Sequence, residues 1–429
     1  MTSFKDISRQ AEEARLSDRD PKGKLTPRAP EVRQNAGVHY FRWTDLQLAV
    51  RVDRIREDSH HVVSAEMTIQ ALPEGHLHQA RLNLTSTRAR TDVVRFLATR
   101  HEGIDWDAII EQVAVAVLRS HREGEPVVRL ADVVIPERVQ FRVDPLIVEQ
   151  AANLIYGYGG LGKSLVAAYL SVTVDRGVIG DGMTAEPGNV LYLDYETDKE
   201  TTARRFRQIE HGLGLDEGSR VMYRFCHQPL TSEIEYLQRA VTEHDIQLVV
   251  VDSAGPACGG EPEAAASTIL YFAALRSLRV ATLTIAHRAK DAKGPGPFGS
   301  VYWTNYPRNI YLLKKAQEID EQHISLALLH EKANDGKLHH PLGWLISFTP
   351  ESITISRQNI KEVPEFEGER SIKDRVRDAL AHGRMTPTAL AEELGANERA
   401  IRQALTQGDG KEFIKIDSHS WGLRHPGEG

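Results

Sequence analysis

Several classes of protein are excluded by what this 429-residue chain lacks. It has only two cysteines, Cys226 and Cys258, which are too few for a disulfide scaffold and are typical of a reducing compartment. No apolar run approaches the roughly 18 residues of a membrane-spanning helix. The first residues have no apolar core behind their basic side chains, which argues against a secretory signal. We therefore expect a cytoplasmic protein that makes no membrane contact.

The chain also lacks an excess of positive charge. Its 53 lysines and arginines are outnumbered by 60 aspartates and glutamates, which gives a net charge of −7. This balance argues against a generally polybasic nucleic-acid coat, although a local basic groove stays possible. With 41% hydrophobic and 26% charged residues, the chain can form real cores, and its length suggests about three domains.

The patterning of the chain predicts five segments. Residues 1–35 are charged and contain three prolines, which indicates a flexible N-terminal arm. Residues 36–125 mix alternating, strand-like runs with helical spacing and predict a small α+β domain without a recognisable chemical motif. Residues 126–360 alternate apolar strands with amphipathic helices, which predicts an α/β core with a mostly parallel sheet and helices on both faces. An acidic linker, 361–369, precedes three short helices and a strand pair in 370–425, the pattern of a winged helix-turn-helix.

One glycine-rich loop indicates nucleotide chemistry. The run GYGGLGKS at 157–164 fits the pattern G-x-x-x-x-G-K-[ST], follows an apolar strand and opens a helix. Glycines let such a loop turn its backbone N–H groups toward phosphates, whereas a fortuitous glycine-rich turn is the alternative. We expect Lys163 to hold the β- and γ-phosphates of ATP and Ser164 to bind Mg²⁺. The predicted nucleotide-binding residues are Gly157, Gly159, Gly160, Leu161, Gly162, Lys163, Ser164 and Leu165.

Acidic residues at predicted strand ends complete this site. Asp252 ends an apolar run and is the natural second metal ligand, since ligands of open α/β sheets bind at the carboxyl edge. Asp194 and Glu196 end another run, and we prefer Glu196 as the carboxylate that orients or deprotonates the attacking water. The alternative is that these two acids only cap the following helix. His287 ends a further strand and could sense the γ-phosphate, although a lone histidine is usually structural.

Taken together, these motifs resemble the RecA-like ATPases, and among them the RepA-type replicative helicases of plasmids and phages. The resemblance covers about residues 140–357 and rests on the runs LIYGYGGLGKS, VLYLDYE, LVVVDSAG, TIAHRAKD and FGSVYWTNYPRNIYLL. It implies a RecA-like P-loop core and a ring, usually a hexamer, with ATP between subunits and hydrolysis driving movement along single-stranded DNA. By this resemblance Glu196 is the catalytic base, Asp252 the metal acid and His287 the γ-phosphate sensor.

A ring of this kind also requires a cation from the neighbouring subunit, because the transition state carries excess negative charge. Related ring helicases carry a motif resembling K-x-R-x-G, and the corresponding run here is KANDG at 332–336. Lys332 matches this motif, but Asn334 stands where the arginine would be. Arg308 matches the arginine of the RepA-type pattern, so Arg308 is the first candidate and Lys332 the second. Either residue could instead be a surface charge.

Two regions are candidates for contact with nucleic acid. Lys290 and Lys293 lie in a basic, glycine- and proline-rich loop after the strand of His287, where they could contact a single strand. Arg399 and Arg402 lie on the expected recognition helix of the C-terminal segment, where they could contact duplex DNA. The alternatives are a mobile surface loop in the first case and a protein-docking module in the second.

Three functions remain open from the sequence. The first is an ATP-hydrolysing motor, a helicase or translocase acting on DNA in replication. The second is a recombination or repair ATPase of the same fold, and the third is an ATP-switched regulator that binds an operator. Glu196 and His287 form a hydrolytic set, which favours the first two.

Overall fold

The computed structural model describes residues 27–35, 37–72, 75–124, 127–177, 183–215, 218–288, 296–297, 299–317 and 323–424. These residues form two compact units. Of the described residues, the first unit contains those within 27–207, 218–310 and 333–336, and the second contains those within 208–215, 311–332 and 337–424. Within the described ranges, no helix has the length and apolar character needed to cross a bilayer.

The N-terminal part of the first unit is an antiparallel sheet with two helices on one face. Its strands lie in chain order: β1 (Glu31–Asn35), β2 (Val38–Trp43), β3 (Leu48–Glu57), β4 (Val63–Ala71) and β5 (Gly75–Asn83). The helices α1 (Thr87–Ala98) and α2 (Trp106–Glu123) begin at the side-chain caps Ser86 and Asp105. Trp43, Val50 and Trp106 are among the side chains buried between sheet and helices. The small α+β domain expected from the sequence is therefore present.

Strand β1 lies within the last residues of the segment predicted as an arm, whose residues 1–26 are outside the described part of the chain. Its sequence, EVRQN, has almost no apolar character and its side chains are mostly exposed. The strand forms because its backbone pairs with β2 from Glu31 opposite Arg42 to Asn35 opposite Val38. Periodicity cannot predict an exposed strand of this kind, because neither of its faces is buried.

Ion pairs join this sheet to a helix of the nucleotide-binding part, α5 (Leu230–Glu243). Arg51 on β3 pairs with Glu243, and Arg239 Nε lies 3.6 Å from the buried carboxylate of Asp53. Burial raises the pKa of Asp53, while the charges of Arg239 and Arg51 oppose that shift. The N-terminal sheet is thus connected to helix α5 by charged contacts around a buried acid.

The centre of the first unit is a parallel sheet with strands in the order β11 (Met222–Phe225), β10 (Asn189–Asp194), β12 (Ile246–Asp252), β13 (Ala281–His287) and β8 (Ala152–Gly157). The surrounding helices are α3 (Lys163–Arg176), α4 (Lys199–Gly212), α5, α6 (Ala254–Cys258), α7 (Ala265–Ser277) and α8 (Tyr302–Asn305). A smaller sheet contains β6 (Phe141–Asp144), β7 (Ile147–Val148) and β9 (Thr184–Ala185). The strands are continuous apolar runs because helices cover the sheet, which confirms the predicted mainly parallel core.

The register of this sheet places the functional candidates at one edge. Asp194 pairs with Asp252, and His287 pairs with Gly157, so the carboxyl ends of four neighbouring strands coincide. Helix α3 begins directly after the loop that follows Gly157. This edge is where open α/β sheets bind their ligands.

The second unit has an antiparallel sheet and a separate helical cluster. The strands of the sheet follow one another in chain order: β14 (Asn309–Ala316), β15 (His323–Ala333), β16 (Leu342–Phe348) and β17 (Ile353–Gln358). The first two residues of β14 belong to the first unit. The connection from β15 to β16 runs over residues 334–341, longer than the turn signal Asn334-Asp335-Gly336 would by itself predict. Short 3₁₀ turns lie at Ile360–Glu362 and Pro364–Glu369, and another, in the first unit, at Leu130–Asp132.

The C-terminal residues form three helices and a strand pair. The helices are α9 (Ile372–Ala381), α10 (Pro387–Glu393) and α11 (Glu398–Gly408), and β18 (Phe413–Lys415) pairs antiparallel with β19 (Trp421–Leu423). Ser371, Thr386 and Asn397 accept backbone hydrogen bonds at the three helix starts. The core between them contains Val376, Leu390, Ile401, Leu405 and Phe413. These elements agree in number and order with the sequence expectation for residues 370–425.

Candidate nucleotide site

The loop between β8 and α3 has the geometry of an anion cradle. Gly160 and Gly162 have φ values of +74° and +90°, a left-handed conformation that other residues rarely adopt. A Cβ added at Gly159 or Gly160 would meet no atom within 4 Å, so the loop is open on that side. No side chain caps the start of α3, and its first turn carries no acid. The first backbone N–H groups of the helix are therefore free of side-chain acceptors and suited to a phosphate.

Lys163 bonds to its own loop. Its Nζ donates to the carbonyl oxygens of Gly157 and Tyr158 at 3.1 and 2.7 Å and lies 3.4 Å from His287 Nδ1. Burial lowers the pKa of Lys163, and the charges of Glu196 and Asp252 oppose that shift. The ammonium group is thus buried beside two carboxylates, where a polyphosphate could exchange for the two carbonyl contacts.

Asp252 fits the role of a metal acid. Its Oδ2 accepts a 2.6 Å hydrogen bond from the Tyr192 hydroxyl, whereas its Oδ1 is buried without a hydrogen-bond partner in the described part of the chain. Burial raises the pKa of Asp252, and the Tyr192 and Ser164 hydroxyls oppose that shift. A buried, orphaned carboxylate oxygen near a serine hydroxyl fits Mg²⁺, which takes few protein ligands and keeps several waters. No cluster of three or more potential ligand side chains exists among the described residues, so phosphate and water oxygens would complete the coordination.

Asp194 and Glu196 have different environments, although they are only two residues apart. Asp194 is buried; its Oδ1 accepts from the backbone N–H groups of Glu196 and Thr197, and its Oδ2 accepts from Thr202 and Tyr223. These bonds turn the chain sharply at the strand end, so the alternation of an extended strand no longer applies to Glu196. The contacts of Asp194 are therefore structural. The side chain that caps α4 is Asp198, not Glu196, because Asp198 accepts a hydrogen bond from the backbone N–H of Thr201.

Glu196 belongs to a short chain of polar side chains. Its Oε1 lies 3.3 Å from His287 Nε2 and accepts a hydrogen bond from the buried Ser253 hydroxyl. Through its other ring nitrogen His287 contacts Lys163, so lysine, histidine, glutamate and serine follow one another across the strand ends. His287 and Glu196 are 46% and 41% exposed, and so both can be reached by an incoming ligand.

Sequence reasoning missed two donors of this site. Ser253 positions Glu196, and Tyr192 positions Asp252. Ser253 directly follows the predicted metal acid, and Tyr192 is a lone hydroxyl within an otherwise aliphatic buried strand. A buried tyrosine normally finds a hydrogen-bond partner, so this residue type was an available signal.

Arg308 lies at the opposite end of β8 from the phosphate loop. Its backbone N–H donates to the oxygen of Ala152, the first residue of β8, and its guanidinium pairs with Asp335 at 3.0 Å. Asn334 N–H donates to the Arg308 carbonyl, so the arginine stands directly beside the position where the related motif carries one. Lys332, the second candidate, lies near the end of β15 in the second unit.

Of the four candidate nucleic-acid contacts, two lie in the described part of the chain. Lys290 and Lys293 lie outside the described residues. Arg399 and Arg402 are exposed on α11, and Arg402 forms an i,i+4 ion pair with Glu398. Arg402 also lines a polar cavity of about 470 Å³ together with Lys415 and His419.

Comparison with known proteins supports an ATPase-type core. Residues 119–293 match a family model described as an AAA domain, a P-loop ATPase type, and the match includes the phosphate loop, Glu196, Asp252 and His287. No curated protein matches the chain. The matched region covers less than half of the chain, and it defines an AAA-type domain associated with nucleotide binding and hydrolysis.

Proposed function

We propose that this chain is an ATP-hydrolysing, RecA-like motor of the RepA type that acts on single-stranded DNA, as a helicase or translocase, with ATP held between the subunits of a ring. One observation carries the proposal: Glu196 is held beside Lys163 by His287 and Ser253, at the edge where the phosphate loop opens. A protein that used ATP only as a switch would not need a positioned carboxylate next to the phosphate lysine. Recombination ATPases of the same fold are the alternative.

The chain's own residues account for each step of hydrolysis. Lys163 and the N–H groups at the start of α3 bind the phosphates, and Ser164 with Asp252 would hold Mg²⁺, which neutralises charge between the phosphates when bound. Glu196 orients the attacking water and accepts its proton, as a general base. His287 lies between Glu196 and Lys163, so a ligand that displaces either contact changes its hydrogen bonding.

The position of Arg308 supports a site completed by a second subunit. From Ala152 to Gly157, the five steps of extended chain span about 16 Å at about 3.3 Å per residue. Arg308 is bonded at the first of these residues, and the phosphate loop begins at the last. Its side chain is 52% exposed and its ion pair with Asp335 lies at the surface, where such pairs contribute about 0–1 kcal/mol. The guanidinium is therefore available to a neighbouring subunit's γ-phosphate, but is too far from its own.

An exposed apolar segment supports oligomerisation. In the segment that precedes β6, six large aliphatic side chains between residues 127 and 135 are exposed, among them Val127 at 103%, Val134 at 92% and Ile135 at 78% exposure. Contiguous exposed apolar surface of this kind marks an interaction site in soluble proteins. In a ring, the neighbouring subunit would cover it.

The C-terminal unit and the basic loop supply further proposed contacts. We assign the three helices and strand pair of residues 370–424 to a winged helix-turn-helix, with Arg399 and Arg402 facing nucleic acid. Several basic residues of this unit are already neutralised within it, because Lys373 and Arg377 both pair with Glu412. Arg402 itself pairs with Glu398, so Arg399 is the α11 arginine for which no ion pair is present among the described residues. Lys290 and Lys293 would contact the single strand.

The decisive experiment is an ATPase assay with and without single-stranded DNA, with mass photometry of the same sample. We expect hydrolysis that rises several-fold with single strands, and rings in the presence of a non-hydrolysable nucleotide. Lys163→Ala should abolish turnover while the circular dichroism spectrum is unchanged. Unaltered turnover in this variant would contradict the assignment of the phosphate loop. A hydrolysis rate that no length of single-stranded DNA changes would favour the ATP-switched regulator.

A further inference from the structure

The N-terminal domain carries a concentration of positive charge that the acidic chain as a whole does not have. Residues 75–101, which span β5 and α1, contain five arginines and three histidines but only one acid, Asp92. Their formal charge is therefore +4, since five minus one is four, in a chain of −7. Local charge of one sign on one face is the electrostatic footprint of an anionic partner.

Three of these arginines point into solvent from one region. Arg88 and Arg95 are seven residues apart on α1 and so share a helix face, and Arg100 follows the helix end. Among the described residues, no carboxylate lies within ion-pair distance of Arg88 or Arg100. Arg95 has only a long, exposed contact of 3.7 Å with Asp92. By contrast, Arg90 pairs with Glu111 on α2 and belongs to the structure of the domain.

An exposed aromatic ring lies among these charges. Phe96 is 38% exposed, whereas the next residue, Leu97, is fully buried in the core. The Arg100 guanidinium lies 4.3 Å from the centre of the Phe96 ring, and the His78 ring from β5 lies 4.9 Å away at 51°. These distances place all three side chains in one cluster. Burial and the charge of Arg100 lower the pKa of His78.

We propose that this basic face of α1, formed by Arg88, Arg95, Phe96, Arg100 and His78, binds single-stranded nucleic acid. The arginines contact backbone phosphates, and an unpaired base stacks on Phe96. The Arg100 guanidinium that now covers the ring then turns to a phosphate, exchanging a cation–π contact for a charged hydrogen bond. The inference rests on the proposed function only in choosing a nucleic acid as the partner.

The aromatic ring decides between single-stranded nucleic acid and other anions. Base stacking on an exposed ring requires unstacked bases, which a duplex does not present, and it tolerates any sequence. An acidic peptide or a lipid headgroup would use the arginines but would gain nothing from the ring. Phe96→Leu, which keeps an apolar side chain and removes the aromatic face, therefore separates these partners.

The test is fluorescence anisotropy of a labelled oligothymidylate with the full chain. We expect Phe96→Leu to weaken binding at least about fivefold. The triple change Arg88→Gln, Arg95→Gln and Arg100→Gln should lower the slope of log K against log salt by about 2, at about 0.7 per phosphate contact. The control is Arg122→Gln on the exposed last turn of α2, which should leave both quantities unchanged.

The outcomes separate this surface from the proposed motor. Binding of wild-type strength in the Phe96 and triple variants overturns the basic face, even if single strands stimulate hydrolysis. If Arg122→Gln weakens binding equally, the basic face is overturned as well, because the loss would then reflect the net charge of the protein and not this surface. Loss of binding in the variants without any ATP hydrolysis in the wild type would refute the motor and leave the surface standing. Anionic vesicles or duplex DNA that compete as well as single strands would also overturn the proposal.

Discussion

Ser253 offers the sharpest test of how hydrolysis would work in this protein. Its hydroxyl is buried, and its hydrogen bond is to the carboxylate of Glu196. A hydrogen bond to a charged group contributes about 1.5–3 kcal/mol, and the 41% exposure of Glu196 places this one at the lower end. At about 1.4 kcal/mol per tenfold change in rate, we expect Ser253→Ala to lower kcat about tenfold. The KM for ATP should hardly change, because Ser253 positions the base and does not bind the phosphates.

The assay is steady-state ATP hydrolysis over a range of ATP concentrations. Ser253→Cys, which keeps the size but donates weakly, should give an intermediate kcat. Ser171→Ala removes another buried hydroxyl, one that bonds to the carbonyl of Ala167 within α3, and serves as the matched control. A kcat equal to that of the wild type in Ser253→Ala, or an equal loss in the Ser171 variant, would refute the reasoning.

Three further predictions use other parts of the structure. Asp252→Asn should lower the rate of ATP hydrolysis at least about 100-fold. Because burial raises the pKa of Asp252, the folded state disfavours its charge, so the melting temperature of this variant should stay equal or rise. A lower melting temperature in calorimetry would contradict this. Val134→Asp combined with Ile135→Asp should dissociate the oligomer in mass photometry. The free energy of unfolding should change by less than about 0.5 kcal/mol, since both side chains are exposed. An unchanged oligomer would show that residues 127–135 are not an interface. Burial lowers the pKa of His39 and of His330 to about 4. The unfolded chain therefore binds more protons than the folded one between about pH 4 and 6.5, and the free energy of unfolding should fall on acidification through that window, by up to about 3 kcal/mol per histidine. A free energy of unfolding from urea denaturation that does not change over that window would exclude this effect.

The core and much of the candidate site could be predicted from the sequence because their signals are local. The phosphate loop is one contiguous run, and the strands of the parallel sheet are continuous apolar runs that end in chemically distinctive residues. The sequence predicts Glu196, and not Asp194, as the residue that activates water, and this role stays a prediction. The structure shows why the two side chains have different surroundings, since backbone bonds to Asp194 end the strand.

The remaining features depend on contacts between distant parts of the chain. No local pattern links Arg51 to Glu243 or brings the Ser253 hydroxyl to Glu196, because these pairs form only when the sheet has assembled. The exposed strand β1 lacks periodicity altogether, and its formation depends on a partner strand. The basic face of α1 was hidden for a different reason: its charges are diluted in a chain of opposite net charge.

The ion pairs between β3 and α5 have a mechanical consequence. Helix α5 ends at Glu243, and the strand that finishes in Asp252 starts only three positions later, at Ile246. A pull applied to the N-terminal sheet would therefore reach the base of that strand through the ion pairs of Arg51 with Glu243 and of Arg239 with Asp53. The N-terminal domain would then transmit force to the nucleotide site. Concentrated salt weakens these ion pairs and should therefore make the rate of ATP hydrolysis independent of a force applied to that domain.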